Sequence, residues 1–106
     1  MCFSLRRTAP EAEAESLAEK IVSSQLAACV NIIPAVTSVY TWKGKVEKDK
    51  EVLLMVKTRT TLRKQLVDFV KKTHSYDTPE VIFVSINGGN PAYLEWLLES
   101  TARPPA

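Results

Sequence analysis

The chain has 106 residues and a mass of 11.8 kDa, which bounds it to one compact domain. Hydrophobic residues at 45%, charged residues at 25% and a net charge of +2 exclude a disordered chain. No apolar run reaches the roughly 20 residues of a membrane-crossing helix, so no membrane span is expected.

In chain order, Cys2-Phe3-Ser4-Leu5 has room only for a short strand. A helix follows, with Ala14, Leu17, Ala18, Ile21, Val22 and Gln25–Leu26 at i, i+3, i+4 spacing and glutamates on the other face. Thr8 and Glu11 read as its capping box, with Pro10 in the tolerated first turn. Ala28 to Ile33 is apolar and β-branched, a strand stopped or bent at Pro34. Val36 to Trp42 resumes the β pattern, Lys43-Gly44-Lys45 turns the chain, and Val46 begins the return. Val52 to Val56 is continuously apolar, which predicts a strand covered on both faces.

A second helix is predicted from about Thr60 to Thr73, with Leu62, Leu66, Phe69 and Val70 on one stripe. His74 to Pro79 reads as a loop, because Pro79 pushes Thr78 out of helical geometry. Val81 to Ile86 is the fourth predicted strand. Asn87-Gly88-Gly89-Asn90 turns the chain, and Pro91 opens a last helix carrying Tyr93, Leu94, Leu97 and Leu98. One domain over 1–101 with a frayed tail over 102–106 is expected. The order β-α-β-β-α-β plus a C-terminal helix is the α+β, ferredoxin-like arrangement, an antiparallel sheet with two helices on one face.

Several chemistries fail on this scaffold. Residues 43–72 hold ten Lys/Arg against four Asp/Glu, yet the charges alternate in sign through Lys45 to Glu51, the mark of a solvated hairpin. The strand that would stack bases in an RNA-recognition module, Val52 to Val56, has no aromatic ring. No nucleic-acid partner is therefore expected. His74-Ser75-Tyr76-Asp77 places Ser, His and Asp side by side in a loop, which is not a triad geometry. Asn87 to Pro91 fits a phosphate cradle only loosely and reads as a tight turn.

Two cysteines, Cys2 and Cys29, permit at most one disulfide, and thiols in apolar stretches behave as small hydrophobes. The first ten residues lack the apolar stretch and cleavage site of a secretory signal, so a reducing, cytoplasmic setting is expected. One histidine and two cysteines cannot build a four-ligand zinc site within one chain. His74, the single histidine, falls at a helix end beside Tyr76 and Asp77, where it reads equally as a borderline-soft metal ligand or as a surface or helix-capping residue.

Particular strings carry a family resemblance. Thr8-Ala9-Pro10, Leu26-Ala27-Ala28-Cys29-Val30-Asn31-Ile32-Ile33-Pro34 and Tyr40-x-Trp42-x-Gly44-Lys45-Val46 come first. Glu51 to Arg59, His74-x-Tyr76-x-x-Pro79-Glu80-Val81 and Gly89-Asn90-x-x-Tyr93-Leu94-x-Trp96 complete the set. Together they closely resemble the CutA divalent-cation tolerance family from about Thr8 to Thr101. The resemblance implies a non-enzymatic homotrimer, similar in architecture to PII-type signalling proteins, with copper or another divalent cation as ligand and none required. It further implies a metal ligand at His74 and an intersubunit cleft lined by Cys29, Lys57, Glu80, Tyr93 and Trp96. A small-molecule signalling role or a scaffold or anchoring role for that cleft is the alternative implied. The sequence gives a separate reason for assembly: a hairpin from Val36 to Val46 exceeds what two helices cover, and an uncovered edge invites aggregation. Closed symmetry removes such edges. Two departures stand out: Arg7 occupies the place where copper-binding bacterial members carry a Cys, and the first strand is shorter than in relatives. A guanidinium cannot ligate a cation and repels one.

Overall fold

The computed structural model describes residues 2–6, 11–73 and 80–101, with side chains described over 13–72 and 81–101. The Thr8–Glu11 capping box, the His74 to Pro79 loop and the tail over 102–106 lie outside what it describes. The elements are β1 (Cys2–Arg6), α1 (Glu11–Ser23), β2 (Cys29–Trp42), β3 (Lys45–Lys57), α2 (Arg63–Thr73), β4 (Glu80–Ile82) and α3 (Pro91–Glu99). A single 3₁₀ turn, Thr60–Leu62, leads into α2. The four strands form one sheet in the order β2-β3-β1-β4, every pair antiparallel. That order is the ferredoxin-like topology expected from the succession of elements.

The core lies between the helices and one face of the sheet. Ala14, Leu17, Ala18 and Ile21 of α1 and Leu66 and Val70 of α2 pack against Val52, Leu54 and Val56 of β3. Period 2 along β3 puts only those three residues on the helix side. The other side of the strand is open: Leu53 is half-buried and Met55 is exposed. The continuous apolar run is thus covered on one face only, because both long helices lie on the same side. Val22, expected on the core stripe of α1, is also exposed.

α1 ends earlier than its apolar periodicity predicts. The amide of Leu26 donates to the Ile21 carbonyl at 3.1 Å and that of Gln25 to the Val22 carbonyl at 3.0 Å. Gln25 has φ 60, so this is a Schellman motif with glutamine at the left-handed position that glycine favours. Leu26 still reaches the core, but as the residue that follows the cap. Gln25→Gly is expected to stabilise the fold by about 1 kcal/mol, read as a higher urea midpoint; a lower midpoint would contradict the assigned cap.

β2 does not stop at Pro34. It runs for 14 residues, and the register shifts between Ile33, opposite Leu53, and Val36, opposite Glu51. Pro34 and Ala35, the latter at φ 59, together face Val52, so the strand absorbs its proline in a bulge. The bulge changes which residues look outward. Before it, Cys29, Asn31 and Ile33 share the open face with Leu53 and Met55; after it, Val36, Ser38, Tyr40 and Trp42 do. Ser38 then donates to Glu51 at 2.7 Å and Tyr40 to Asp49 on that face, while Lys50 donates to Thr37 at 2.7 Å on the other. Lys43 and Gly44, at φ 51 and 79, close the hairpin as the two-residue turn whose twist suits antiparallel strands.

β4 is shorter than predicted, three residues in place of six. It pairs with β1, Ile82 opposite Cys2 and Glu80 opposite Ser4.

Candidate functional site

The residues singled out in the sequence converge only in part. Cys29 and Lys57 are direct partners where β2 meets β3, so both lie on the open face. The Lys57 ammonium sits 5.9 Å from the centre of the Tyr93 ring, and Tyr93 lies 5.4 Å from Trp96, ring centre to ring centre, tilted by 44°. A cation over an aromatic face is attracted to the ring's negative quadrupole. Cys29, Lys57, Tyr93 and Trp96 therefore form one continuous run from the sheet to α3. Glu80 opens β4, two strands from β3, across from Ser4, which itself pairs with Leu53; its side chain lies outside the described residues. His74 lies outside the described residues.

A cavity of about 280 Å³ sits at this run, walled by Met55, Lys57 and Tyr93 and by the backbone around Gly88 and Gly89. Met55 and the glycines were not singled out as site residues, and the run Val52 to Val56 gives a reason: its period-2 alternation is hidden when every residue is apolar. Asn90 shapes one wall by capping α3, its side-chain oxygen accepting from the Ala92 amide at 3.0 Å. That bond, with Pro91 at the first helical position, already serves the helix terminus, so the segment behaves as the tight turn expected and not as a phosphate cradle. Among the described residues no carboxylate pairs with Lys57, which leaves its charge to the cavity.

The donor chemistry of these residues does not suit a cation. Among the described residues, no three His, Cys, Asp or Glu side chains come together as a metal would need. Cys29 is a free, half-buried thiol whose sulfur lies 3.9 Å from the Asn31 side-chain oxygen, beside a lysine that repels positive charge. The described part of the chain thus offers an anion-favouring, aromatic-walled cavity and no cation cage.

Behind the cavity, α3 is pinned by Arg59. Its Nε donates to the Thr101 hydroxyl at 2.8 Å and its terminal nitrogen to the Thr101 carbonyl at 3.3 Å and to the Leu98 carbonyl. Thr101, 5% exposed, passes its own hydroxyl proton to carbonyls of α3 at 3.1 Å. Charged donors on the last carbonyls of a helix satisfy orphan acceptors and suit the negative end of its dipole. This clamp fixes the height at which Tyr93 and Trp96 meet the sheet.

No helix among the described residues is long and apolar enough to cross a membrane. Comparison with known proteins agrees with the topology. The family model described as CutA1 divalent ion tolerance protein matches residues 4–100. The protein named CutA 1, chloroplastic, of Oryza sativa is 55% identical over 95 residues, 89% of this chain and 54% of its own length. The chain spans about half the length of the first curated relatives it matches. The divalent-cation tolerance protein CutA of Thermus thermophilus is 46% identical and is covered over 92% of its length. The crystal structure of CutA1 from Oryza sativa superposes with a TM-score of 0.90 at 48% identity, covering 97% of this chain and 92% of that one. A structure titled PII-like protein CutA, from a Nostoc species, gives 0.83 at 28% identity, covering 95% and 94%. On these matches and on its sheet order, the chain belongs to the CutA1 divalent ion tolerance protein family.

Proposed function

We propose that the chain acts as a non-enzymatic homotrimer that takes a divalent cation, copper being the first candidate, between subunits at His74. A reducing, cytoplasmic compartment suits its free Cys29 thiol. One observation supports the assembly above others. Ile33, Val39, Trp42, Val46 and Met55 are all exposed along the long hairpin and its base, apolar surface that contact with further copies would cover. Assembly also answers the shortage of donors, since three copies supply three histidines where one chain has one. Copper titration of the purified protein beside His74→Ala tests the reading. Loss of at least about tenfold in affinity is expected on removing an imidazole ligand; equal affinity would take His74 out of the site.

A second reading is favoured by the charge left at Lys57. The 280 Å³ cavity between Lys57 and Tyr93 suits a small anion with a flat or apolar body, and the Nostoc neighbour is titled PII-like. With metal chelated, only this reading gives a rise in melting temperature on adding anionic metabolites. A scaffold or anchoring role would give neither response.

A further inference from the structure

A strand sorts charges that alternate in sign along the chain, because its side chains alternate between faces. The register puts Glu47, Asp49 and Glu51 on the open face of the hairpin, with Ser38 and Tyr40. Lys48 and Lys50 fall on the helix side, opposite Val39 and Thr37, and Val46 falls there too, opposite Thr41. Among the described residues, the packed core ends at Val52, so no helix covers that side farther out. All six of its residues are exposed, Val39 at 61% and Val46 at 76%. On the open face, by contrast, Ser38, Tyr40, Glu47 and Asp49 are half-buried. The helix side of the hairpin is therefore a bare strip of valine and threonine that carries two ammonium groups.

The outer face of α1 holds the complementary set. Glu15, Glu19 and Val22 follow at steps of four and three residues, so they stand in one row along the helix, and all three are exposed. The row includes the valine that the core leaves out. Its spacing matches the strip. Glu15 to Glu19 is about 6 Å along a helix, and Lys50 to Lys48 is about 7 Å along a strand. Glu19 to Val22 adds about 4.5 Å and Lys48 to Val46 about 7 Å, a difference that flexible lysine stems absorb. The directions agree as well. α1 leaves β1 at the end where Arg6 faces Glu51 and enters β2 where Cys29 faces Lys57, so it runs away from the hairpin tip. A twofold axis between two copies facing each other reverses that direction.

We propose that two copies of the chain pair through their helix sides, α1 of each lying over the bare strip of the other. Glu15 then meets Lys50, Glu19 meets Lys48, and Val22 lies beside Val46. The contact is made twice, as a twofold interface requires. The valines supply apolar area, and the charges set the register and reject a shifted one. The inference goes beyond the threefold assembly and does not depend on it, because Met55 and Ile33 look out from the other face of the sheet. An acidic helix of another protein would occupy the strip alone and leave α1 of this chain free.

Sedimentation of the full chain at high protein concentration is the test. In about 50 mM salt the mass is expected to be at least double that in about 1 M salt, where exposed charges are screened. The ratio is read whether the smaller species is one chain or three, so a missing trimer leaves the test intact. Lys48→Glu with Lys50→Glu is expected to weaken pairing at least about tenfold, and so is Glu15→Lys with Glu19→Lys. All four positions are exposed, so the far-ultraviolet dichroism of both variants should stay that of the parent. Mixed together, the two variants should pair with each other, since each brings the charge that the other lacks. A mass independent of salt, or variants that stay apart when mixed, would overturn the proposal. Loss of pairing on reversal at Lys48 and Lys50 but not at Glu15 and Glu19 would also overturn it, in favour of a different surface over the strip.

Discussion

Met55→Glu is expected to take the assembly apart while each protomer stays folded. Met55 is in the second strand of the hairpin, on the open face, where Leu53 and Ile33 are its neighbours and 39% of its own surface is bare. In an isolated protomer a carboxylate there keeps its water, so the helix-side core is untouched. Covered by another subunit, the same carboxylate would lose its hydration, a penalty of several kcal/mol at each copy of the contact that the Lys57 ammonium on the same cavity wall offsets only in part. The native mass should fall from about 35 kDa, three times the chain mass, to 11.8 kDa. The far-ultraviolet dichroism should remain. A wild-type protein already at the monomer mass would dispose of the trimer, and an intact trimer in the variant would place the interface elsewhere.

Leu54→Ala acts on the opposite face and should weaken the fold that Met55→Glu spares. Leu54 is fully buried, flanked in the sheet by Phe3 and Ile32 and covered by the helices. Truncation removes the transfer free energy of the missing carbons and leaves a cavity that a close-packed sheet cannot collapse around. A loss of about 3 kcal/mol is expected, a large share of the roughly 5–15 kcal/mol that holds a domain together. Urea unfolding at matched protein concentration measures it, because subunit association would otherwise add to the midpoint. A loss under about 1 kcal/mol would mean that the core is not centred on β3. The adjacent residues Leu54 and Met55 thus separate folding from assembly in two substitutions.

The contrast between these neighbours shows how far the sequence could be read. The order of elements was legible because each long helix shows its period: Ala14, Leu17, Ala18 and Ile21 all reached the core. The two-residue turn was legible at Lys43-Gly44, where local backbone geometry restricts the choice. Pro34 left a stop and a bend both open, and the bend was decided by β3 alongside, since pairing on both sides of the bulge carries the strand through. The end of α1 was misread, because Leu26 stays apolar and near the core after the helix has closed. In the run Val52 to Val56 nothing local distinguishes the two faces, and which of them the helices cover is decided only when α1 and α2 pack on the same side.

The candidate site divides in the same way. Lys57, Tyr93 and Trp96 came from family strings and stand together in the structure. Met55 and the glycine turn carry no chemical signature, so their place at the cavity follows from how α3 lands on the sheet, held by Arg59 some 42 residues upstream of Thr101. By itself the sequence determined the succession of elements, the scarcity of metal donors in one chain and the family, all properties carried by composition, period and local strings. Only the tertiary structure decided which face of the sheet stays open and where Lys57 meets Tyr93. Those outcomes depend on register between distant segments, and in a sheet a register is a relation that no single segment contains.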